Sequence, residues 1–325
     1  TTEALHALSR ALELTPPEEF AARYDLLRQR WEIFHLQGDR ASEAADLDEM
    51  ERLALQMADA GRRAQAAVDK STYYLSTGEY DDVLLVGEQA RHWADPAFDA
   101  SLQAQLHNNC GHAFAYLGRF DEAHDSLTRA LELAQAAGDK RTRIDTLRVL
   151  GIVAEEEGDF VAEQQYFEEA LRLAREVGDR TGERRTLNSL GIVAQNVGDY
   201  ATAVARYTES LTIARAIGDR VGEGTVLGNL GVQANHVGDY SRACHMFEQS
   251  LQIDRETGNK TGVNVNLLNL AAAVAYMGDY EASLDYYQQS LPGVEETGDK
   301  PLLGYILNGQ GLTLLAAGRL MTWNR

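Results

Sequence analysis

The sequence repeats itself about every forty residues, and this period constrains the fold more than any other feature. A glycine marks each step of the repeat, at Gly38, Gly78, Gly118, Gly158, Gly198, Gly238, Gly278 and Gly318. In most copies an aromatic residue follows two positions later, as at Phe160 and Tyr200. A fixed period of about 20–50 residues is typical of a solenoid, in which each unit buries its apolar face against its neighbours.

A second series of glycines lies twenty residues after the first, and it predicts that each unit is a pair of helices. This series comprises Gly138, Gly178, Gly218, Gly258 and Gly298. Glycine readily adopts the left-handed conformation that ends a helix, and the Asp that usually follows it can cap the next one. We therefore expect an all-α fold with helices of roughly 16 residues, each about 25 Å long.

The spacing of these glycines divides the chain into four segments. Residues 1–37 are predicted to form N-terminal helices that pack on the array, over 3–14 and 18–37. Residues 38–117 form two degenerate units that lack the second Gly-Asp pair, although Pro96 still separates two helices. Residues 118–318 form regular units, and 319–325 are a truncated end. Because the sequence starts without Met and stops where another helix would open, we expect an excised fragment.

The recurring residues resemble the tetratricopeptide repeat pattern, and they do so over nearly all of residues 38–318. One unit matches the pattern at Leu187, Leu190, Gly191, Gly198, Tyr200, Ala203, Tyr207 and Leu211. The resemblance implies an all-α, right-handed superhelix of about seven helix pairs. The family's usual unit is shorter, and the longer form found here resembles the C-terminal sensor arrays of bacterial signal-transduction NTPases and maltose-activator-like regulators.

The resemblance also implies that the first helix of each pair lines a concave groove. The groove positions expected to bind a peptide are Asn108, His112, Arg148, Arg185, Asn188, Gln195, Asn196, Gly228, Asn235, His236, Tyr276 and Asn308. Carboxamides both donate and accept hydrogen bonds, which suits the backbone of an extended peptide. The sequence therefore predicts an interaction module whose partners are a protein or peptide segment in the groove and the neighbouring domains of a larger regulator. Alternatives are a passive self-assembling scaffold with a merely wetted groove, and a receptor of the peptide-pheromone type.

Gly228 is a candidate contact point because a glycine within a helix costs roughly 0.5–1 kcal/mol relative to alanine. Its missing side chain would leave a dent where a ligand approaches. The alternative is that Gly228, like Gly224 one turn earlier, only relieves packing between helices.

Composition argues against several classes of function. The formal charge of −20, from 50 acidic and 30 basic residues, disfavours nucleic acid and anionic membranes as partners. Cys110 and Cys244 lie far apart and suggest neither a disulfide framework nor a zinc site. No catalytic constellation, cofactor motif or metal motif is present, so we expect a non-catalytic, cytoplasmic protein without cofactors.

The last predicted helix, over 302–317, has no following partner in the sequence. Leu303, Ile306 and Leu314 are therefore expected to leave apolar surface uncovered. This predicts end-to-end self-association.

Overall fold

The structure is a computed structural model that describes residues 2–93, 99–297 and 300–318. These residues form sixteen helices and no strand, which confirms the predicted all-α class. The helices are α1 (Thr2–Leu14), α2 (Phe20–Gln37), α3 (Arg40–Gln56), α4 (Ala60–Thr77), α5 (Tyr80–Trp93), α6 (Ala100–Tyr116), α7 (Phe120–Ala137), α8 (Lys140–Glu157), α9 (Phe160–Val177), α10 (Arg180–Asn196), α11 (Tyr200–Ile217), α12 (Arg220–His236), α13 (Tyr240–Thr257), α14 (Lys260–Tyr276), α15 (Tyr280–Thr297) and α16 (Lys300–Ala316). Pro96, the Gly298-Asp299 pair and the segment 319–325 lie outside the described residues.

The Gly-Asp turns have the predicted geometry. Gly158 adopts a left-handed φ of 77°, and the Asp159 amide donates to the Ala154 carbonyl at 2.8 Å, which closes α8. The Asp159 carboxylate then accepts from the Ala162 amide at 3.0 Å, which caps α9. The carboxylates of Asp139, Asp179, Asp199, Asp219, Asp239 and Asp279 accept from the amide three residues later in the same way. The predicted capping role of these acidic residues is confirmed.

The first degenerate unit keeps the turn without the glycine. Ala58 has a φ of 50°, and it is the one non-glycine residue with positive φ in the part of the chain that the structure describes. It lies twenty residues after Gly38, where the regular units place their second glycine. The backbone geometry of the repeat therefore extends into a unit whose sequence has lost the motif.

A glycine in the middle of the first helix sets the close packing within each pair. A Cβ on Gly151 would lie 2.7 Å from the Phe167 ring, and one on Gly231 would lie 2.5 Å from the Phe247 ring. Real Cβ atoms do not approach a ring so closely. In these two pairs the aromatic ring of the second helix occupies the place of the glycine side chain, whereas Ala271 holds the equivalent position beside Tyr287.

The helices group into two compact units, Thr1–Leu190 and Gly191–Arg325. In the first unit α4 contacts α6, and α6 contacts α8. In the second unit α12 contacts α14, and α14 contacts α16. We call α4, α6, α8, α10, α12, α14 and α16, the first helices of the pairs, the inner helices. The surface of these helices that points away from the second helices is called the inner face.

The core of the first unit includes the N-terminal helices. Leu12 of α1 and Trp31 of α2 pack in one cluster with Met50 and Leu53 of α3. Asp46 is buried nearby, and its carboxylate accepts from the Arg30 guanidinium at 2.5 Å and 2.9 Å. The charge of this buried carboxylate is therefore balanced within the unit.

The last inner helix, α16, exposes an apolar surface, but with different residues from those predicted. Ile306 is fully buried beside Ala271 and Tyr287, so the prediction that it lies uncovered is wrong. One residue further on, Leu307 is 55% exposed, whereas Leu267 at the same repeat position is 2% exposed. Leu312 and Leu315 are exposed on the same helix, while Leu303 and Leu314 are half-buried.

Candidate functional site

Four of the predicted groove residues meet on the inner face of the first unit. Asn108 and His112 lie one turn apart on α6, Arg148 lies on α8 and Arg185 on α10. Arg185 Nη1 donates to Asp145 Oδ1 at 3.3 Å, and Arg148 Nε lies 3.9 Å from the same oxygen. Burial, together with the charges of Arg148 and Arg185, lowers the pKa of His112 to about 3.

Several of these polar atoms are enclosed without a partner. Asn108 Oδ1, His112 Nε2 and Arg148 Nε are buried and have no hydrogen-bond partner among the described residues. Enclosed polar groups in proteins are normally satisfied, since an unmade hydrogen bond costs about 1–3 kcal/mol. Such a group of three marks this surface as different from ordinary packing.

Asn188 lies on the same helix as Arg185, one turn further on, and is half-buried. The charges of Arg148 and Arg185 both act on His112, and the Asp145 carboxylate acts on Arg148.

The predicted groove residues of the second unit do not form one cluster. Gln195 Oε1 already accepts hydrogen bonds from the Tyr207 hydroxyl, at 3.1 Å, and from Gln233 Nε2. Asn235 Oδ1 is buried and has no partner within the described residues, and Asn308 is exposed. The amide of Gln195 therefore serves the fold, while that of Asn235 retains an unused acceptor.

His236 and Tyr276 lie at the edge where the inner helices end, together with the exposed Asn196. The His236 ring stacks on Tyr200 with centroids 5.7 Å apart, and the Tyr276 ring stacks on Tyr240 at 5.1 Å. The repeating aromatic residue thus packs on the end of the following inner helix. These tyrosines therefore have a structural role at the end of the helix.

Gly228 and Gly224 have different surroundings. A Cβ on Gly224 would lie 3.0 Å from Ile253 Cγ2, so packing favours glycine there. A Cβ on Gly228 would lie 3.5 Å from Ser250 Oγ and 3.7 Å from Asn266 Oδ1, which is ordinary contact. Relief of packing therefore explains Gly224 and does not explain Gly228.

Two buried polar residues with an unpaired atom escaped the sequence analysis. Gln233 is buried, bonds to Gln195, and keeps Oε1 without a partner in the described structure. Asn264 is buried and leaves Nδ2 without one. The signal for Gln233 was a break in the period, since its equivalents are Val153, Val193 and Ala273.

The described residues hold no group of three or more His, Cys, Asp or Glu side chains arranged to bind a metal ion. Cys110 is buried, Cys244 is half-buried, and neither forms a disulfide bond. Among the helices of the described part, none is both long and apolar enough to cross a membrane.

The sequence profile of the tetratricopeptide repeat family matches residues 102–176 and 182–259, and that of anaphase-promoting complex subunit 5 matches residues 229–310. No curated protein gives a significant match in sequence. Solved structures are similar in fold. One is a signal transduction ATPase with numerous domains and a tetratricopeptide repeat sensor, from Pyrococcus horikoshii, at a TM-score of 0.65 and 14% identity. That match covers 98% of this chain and 50% of the other, so the present chain spans half the length of that protein.

Two further structures share the fold. The anaphase-promoting complex (APC/C) hetero-tetramer Cut9-Hcn1 is similar at a TM-score of 0.66 and 17% identity, over 95% of this chain and 52% of that one. A Rap protein in complex with Competence and Sporulation Factor is similar at a TM-score of 0.65 and 14% identity, over 94% of this chain and 88% of that one. With the profile matches, the repeated glycine geometry and these shared folds, the chain belongs to the tetratricopeptide repeat family.

Proposed function

We propose that this chain is a non-catalytic interaction module that binds an extended segment of a protein or a peptide on its inner face. The observation that carries the proposal is the set of enclosed and unpaired polar atoms on that face, including Asn108 Oδ1 in the first unit and Asn235 Oδ1 in the second. A peptide backbone presents N–H groups that such acceptors need. Binding a peptide would satisfy atoms that the fold leaves unsatisfied.

The similar proteins support the class of partner. The Rap structure holds Competence and Sporulation Factor, and Cut9-Hcn1 is a hetero-tetramer of a larger complex. The protein from Pyrococcus horikoshii uses its repeats as a sensor, and the present chain spans half of that protein. These similar proteins favour a sensor or adaptor role within a larger cytoplasmic regulator.

The test is selection from a random peptide library against the full chain, followed by fluorescence anisotropy with each selected peptide. In the second unit, Gly228→Leu fills the space beside the glycine and Asn235→Leu removes the amide acceptor. In the first unit, Asn108→Leu removes the amide acceptor. Glu248→Leu, at an exposed position on α13, is the matched control. We expect saturable binding that one or more inner-face variants weaken at least tenfold and that the control leaves unchanged. Binding that all four variants leave equal would refute the proposed face.

A second candidate function is self-assembly, which the exposed apolar residues of α16 favour. Leu307, Leu312 and Leu315 lie on one helix and are each more than half exposed. Exposed apolar residues grouped on one helix favour association with another surface. A scaffold of this kind would show a mass that rises with concentration and no saturable peptide binding.

A further inference from the structure

A cavity lies among α5, α6 and α7 of the first unit, beside two second helices and away from the inner face. Its volume is about 190 Å³, and its lining includes Gly87 of α5, Cys110 of α6 and Ser126 of α7. An apolar cavity of about 150 Å³ is large enough to bind benzene. The space therefore admits a small organic group.

Three small residues border this space, and in other units the repeat places large residues at the same three positions. The positions equivalent to Gly87, Cys110 and Ser126 hold a large apolar residue, a leucine and a second large apolar residue. These triplets are Leu127, Leu150 and Tyr166, then Tyr207, Leu230 and Met246, and then Phe247, Leu270 and Tyr286. The members of each triplet pack in one hydrophobic cluster. The cavity thus occupies the place of side chains that the fold supplies elsewhere.

The enclosed part of the lining is apolar. Gly87, Leu106 and Cys110 are buried, and the Phe114 ring is half-buried. A Cβ on Gly87 would overlap Cys110 Sγ, so the thiol lies directly on the glycine. Ligand sites are lined mainly by such apolar groups, with a few polar groups that fix the orientation of the ligand. The enclosed part therefore suits an apolar body.

The exposed part of the lining is acidic. Glu122 and Asp125 are exposed on α7, and the described residues that line the cavity include no lysine or arginine. The Glu122 carboxylate binds the Arg119 guanidinium at 2.8 Å. The charge that remains for a ligand at the mouth is therefore that of Asp125.

We propose that this cavity binds a small organic cation. An aromatic or branched aliphatic body lies beside Gly87, Cys110 and Ser126, and it replaces the side chains that fill the equivalent places in other units. An ammonium group lies at the mouth beside the Asp125 carboxylate, which selects the sign of the ligand charge. This site goes beyond the proposed function, because it lies away from the inner face and needs no peptide partner.

The test follows the methyl signals of Leu106 by NMR in the full chain, assigned with Leu106→Ile. The probes are phenethylammonium and 3-methylbutylammonium, with 2-phenylethanol and 3-phenylpropionate as the neutral and anionic counterparts of the first. We expect saturable shifts with both ammonium probes, weaker binding of the alcohol and none of the anion. Failure of both ammonium probes to bind would overturn the proposal. Binding of the alcohol or the anion as tightly as phenethylammonium would also overturn it.

Two methionine variants locate the binding. Ser126→Met introduces the residue found at the equivalent Met246, fills the cavity and should abolish the saturable shifts. Thr128→Met adds the same side chain at an exposed position on the same helix and should leave binding unchanged. Thermal unfolding checks the fold, and we expect Ser126→Met to raise the midpoint because it fills empty space. A folded Ser126→Met variant that still binds phenethylammonium as the wild type does would refute the site.

Two asparagine variants test the role of the charge. Asp125→Asn should weaken binding of both ammonium probes about twofold to fivefold, as expected for one exposed ion pair, and leave 2-phenylethanol unaffected. Asp121→Asn removes the same charge at an exposed position on α7 outside the cavity lining, and it should leave all probes unaffected. An equal loss in the two variants would show attraction by the net charge of the chain and would overturn the role of Asp125.

Discussion

Two glycines three residues apart on α12 provide the sharpest test of how this fold is specified. Gly231 and Gly228 lie in the same helix and both occur within its central turns. A Cβ added at Gly231 would lie 2.5 Å from Phe247 Cε1, whereas one added at Gly228 meets nothing closer than 3.5 Å. Replacing either glycine with alanine therefore raises the helix propensity by the same amount, but only the replacement at Gly231 creates a close contact.

The magnitudes follow from these distances. Alanine in place of glycine within a helix gains roughly 0.5–1 kcal/mol in either variant. Gly228→Ala should keep that gain. Phe247 is 1% exposed and held among Ala243, Leu251 and Leu270, so its ring has little room to move. Overpacking of this kind costs typically 1–3 kcal/mol, so Gly231→Ala should be destabilised relative to Gly228→Ala by about that amount.

The assay is urea unfolding followed by circular dichroism, with amide hydrogen exchange on α12 as a local measure, because repeat arrays open locally. We expect Gly228→Ala to raise the unfolding midpoint and Gly231→Ala to lower it and speed exchange. If Gly231→Ala is as stable as Gly228→Ala, the interpretation that the repeat glycine exists to admit the aromatic ring is wrong.

Three further predictions rest on other positions. Burial, followed by the charge of Glu155, raises the pKa of Glu163 from its ordinary 4.5 to about 7. Between these values the folded state holds a proton that the unfolded chain releases. The stability gained from this proton is present below pH 4.5 and is lost as the pH rises to 7. Glu163→Gln should therefore be more stable than the wild type at pH 8 and equally stable near pH 4, as measured by urea unfolding. Ala58→Gly should stabilise the first unit by about 1 kcal/mol, because the left-handed φ of 50° strains alanine and not glycine; a lower thermal midpoint would contradict this. The double variant Leu307→Glu and Leu315→Glu should remove concentration-dependent mass in sedimentation, and a wild-type chain that is monomeric at all concentrations would refute the self-association it tests.

The parts of the fold that repeat could be predicted from the sequence because one physical constraint recurs at fixed spacing. Gly158 ends α8 and Asp159 caps α9 through backbone geometry that only a few residue types allow, so the sequence records the turn directly. Ala58 shows the limit of this signal, since the same turn forms there without the residue that reveals it. Ile306 shows another limit, since the burial of a terminal helix depends on which of its faces the previous pair covers.

The candidate site was harder to predict, since a list of inner-face positions does not show which side chains already have partners. Gln195 was among the expected ligand contacts, yet the Tyr207 hydroxyl and the Gln233 amide occupy its carbonyl. His112 and Arg148 were in the same list with equal weight, and only their enclosure and unpaired atoms set them apart. Whether a side chain has a hydrogen-bond partner depends on the distances between helices, and the sequence pattern does not contain these distances.

Departures from the period are therefore more informative about function than the period itself. Positions such as Gly231 and Phe247 keep similar residues in most units because each pair packs in nearly the same way. A side chain that differs from its equivalents, and that no packing contact requires, is free of that constraint. His112 stands among aliphatic equivalents, and Gly228 is a glycine where ordinary space would admit a side chain. If the inner face binds a peptide, substitutions at such exceptional positions should alter affinity while leaving stability nearly unchanged, and substitutions at periodic positions should do the reverse.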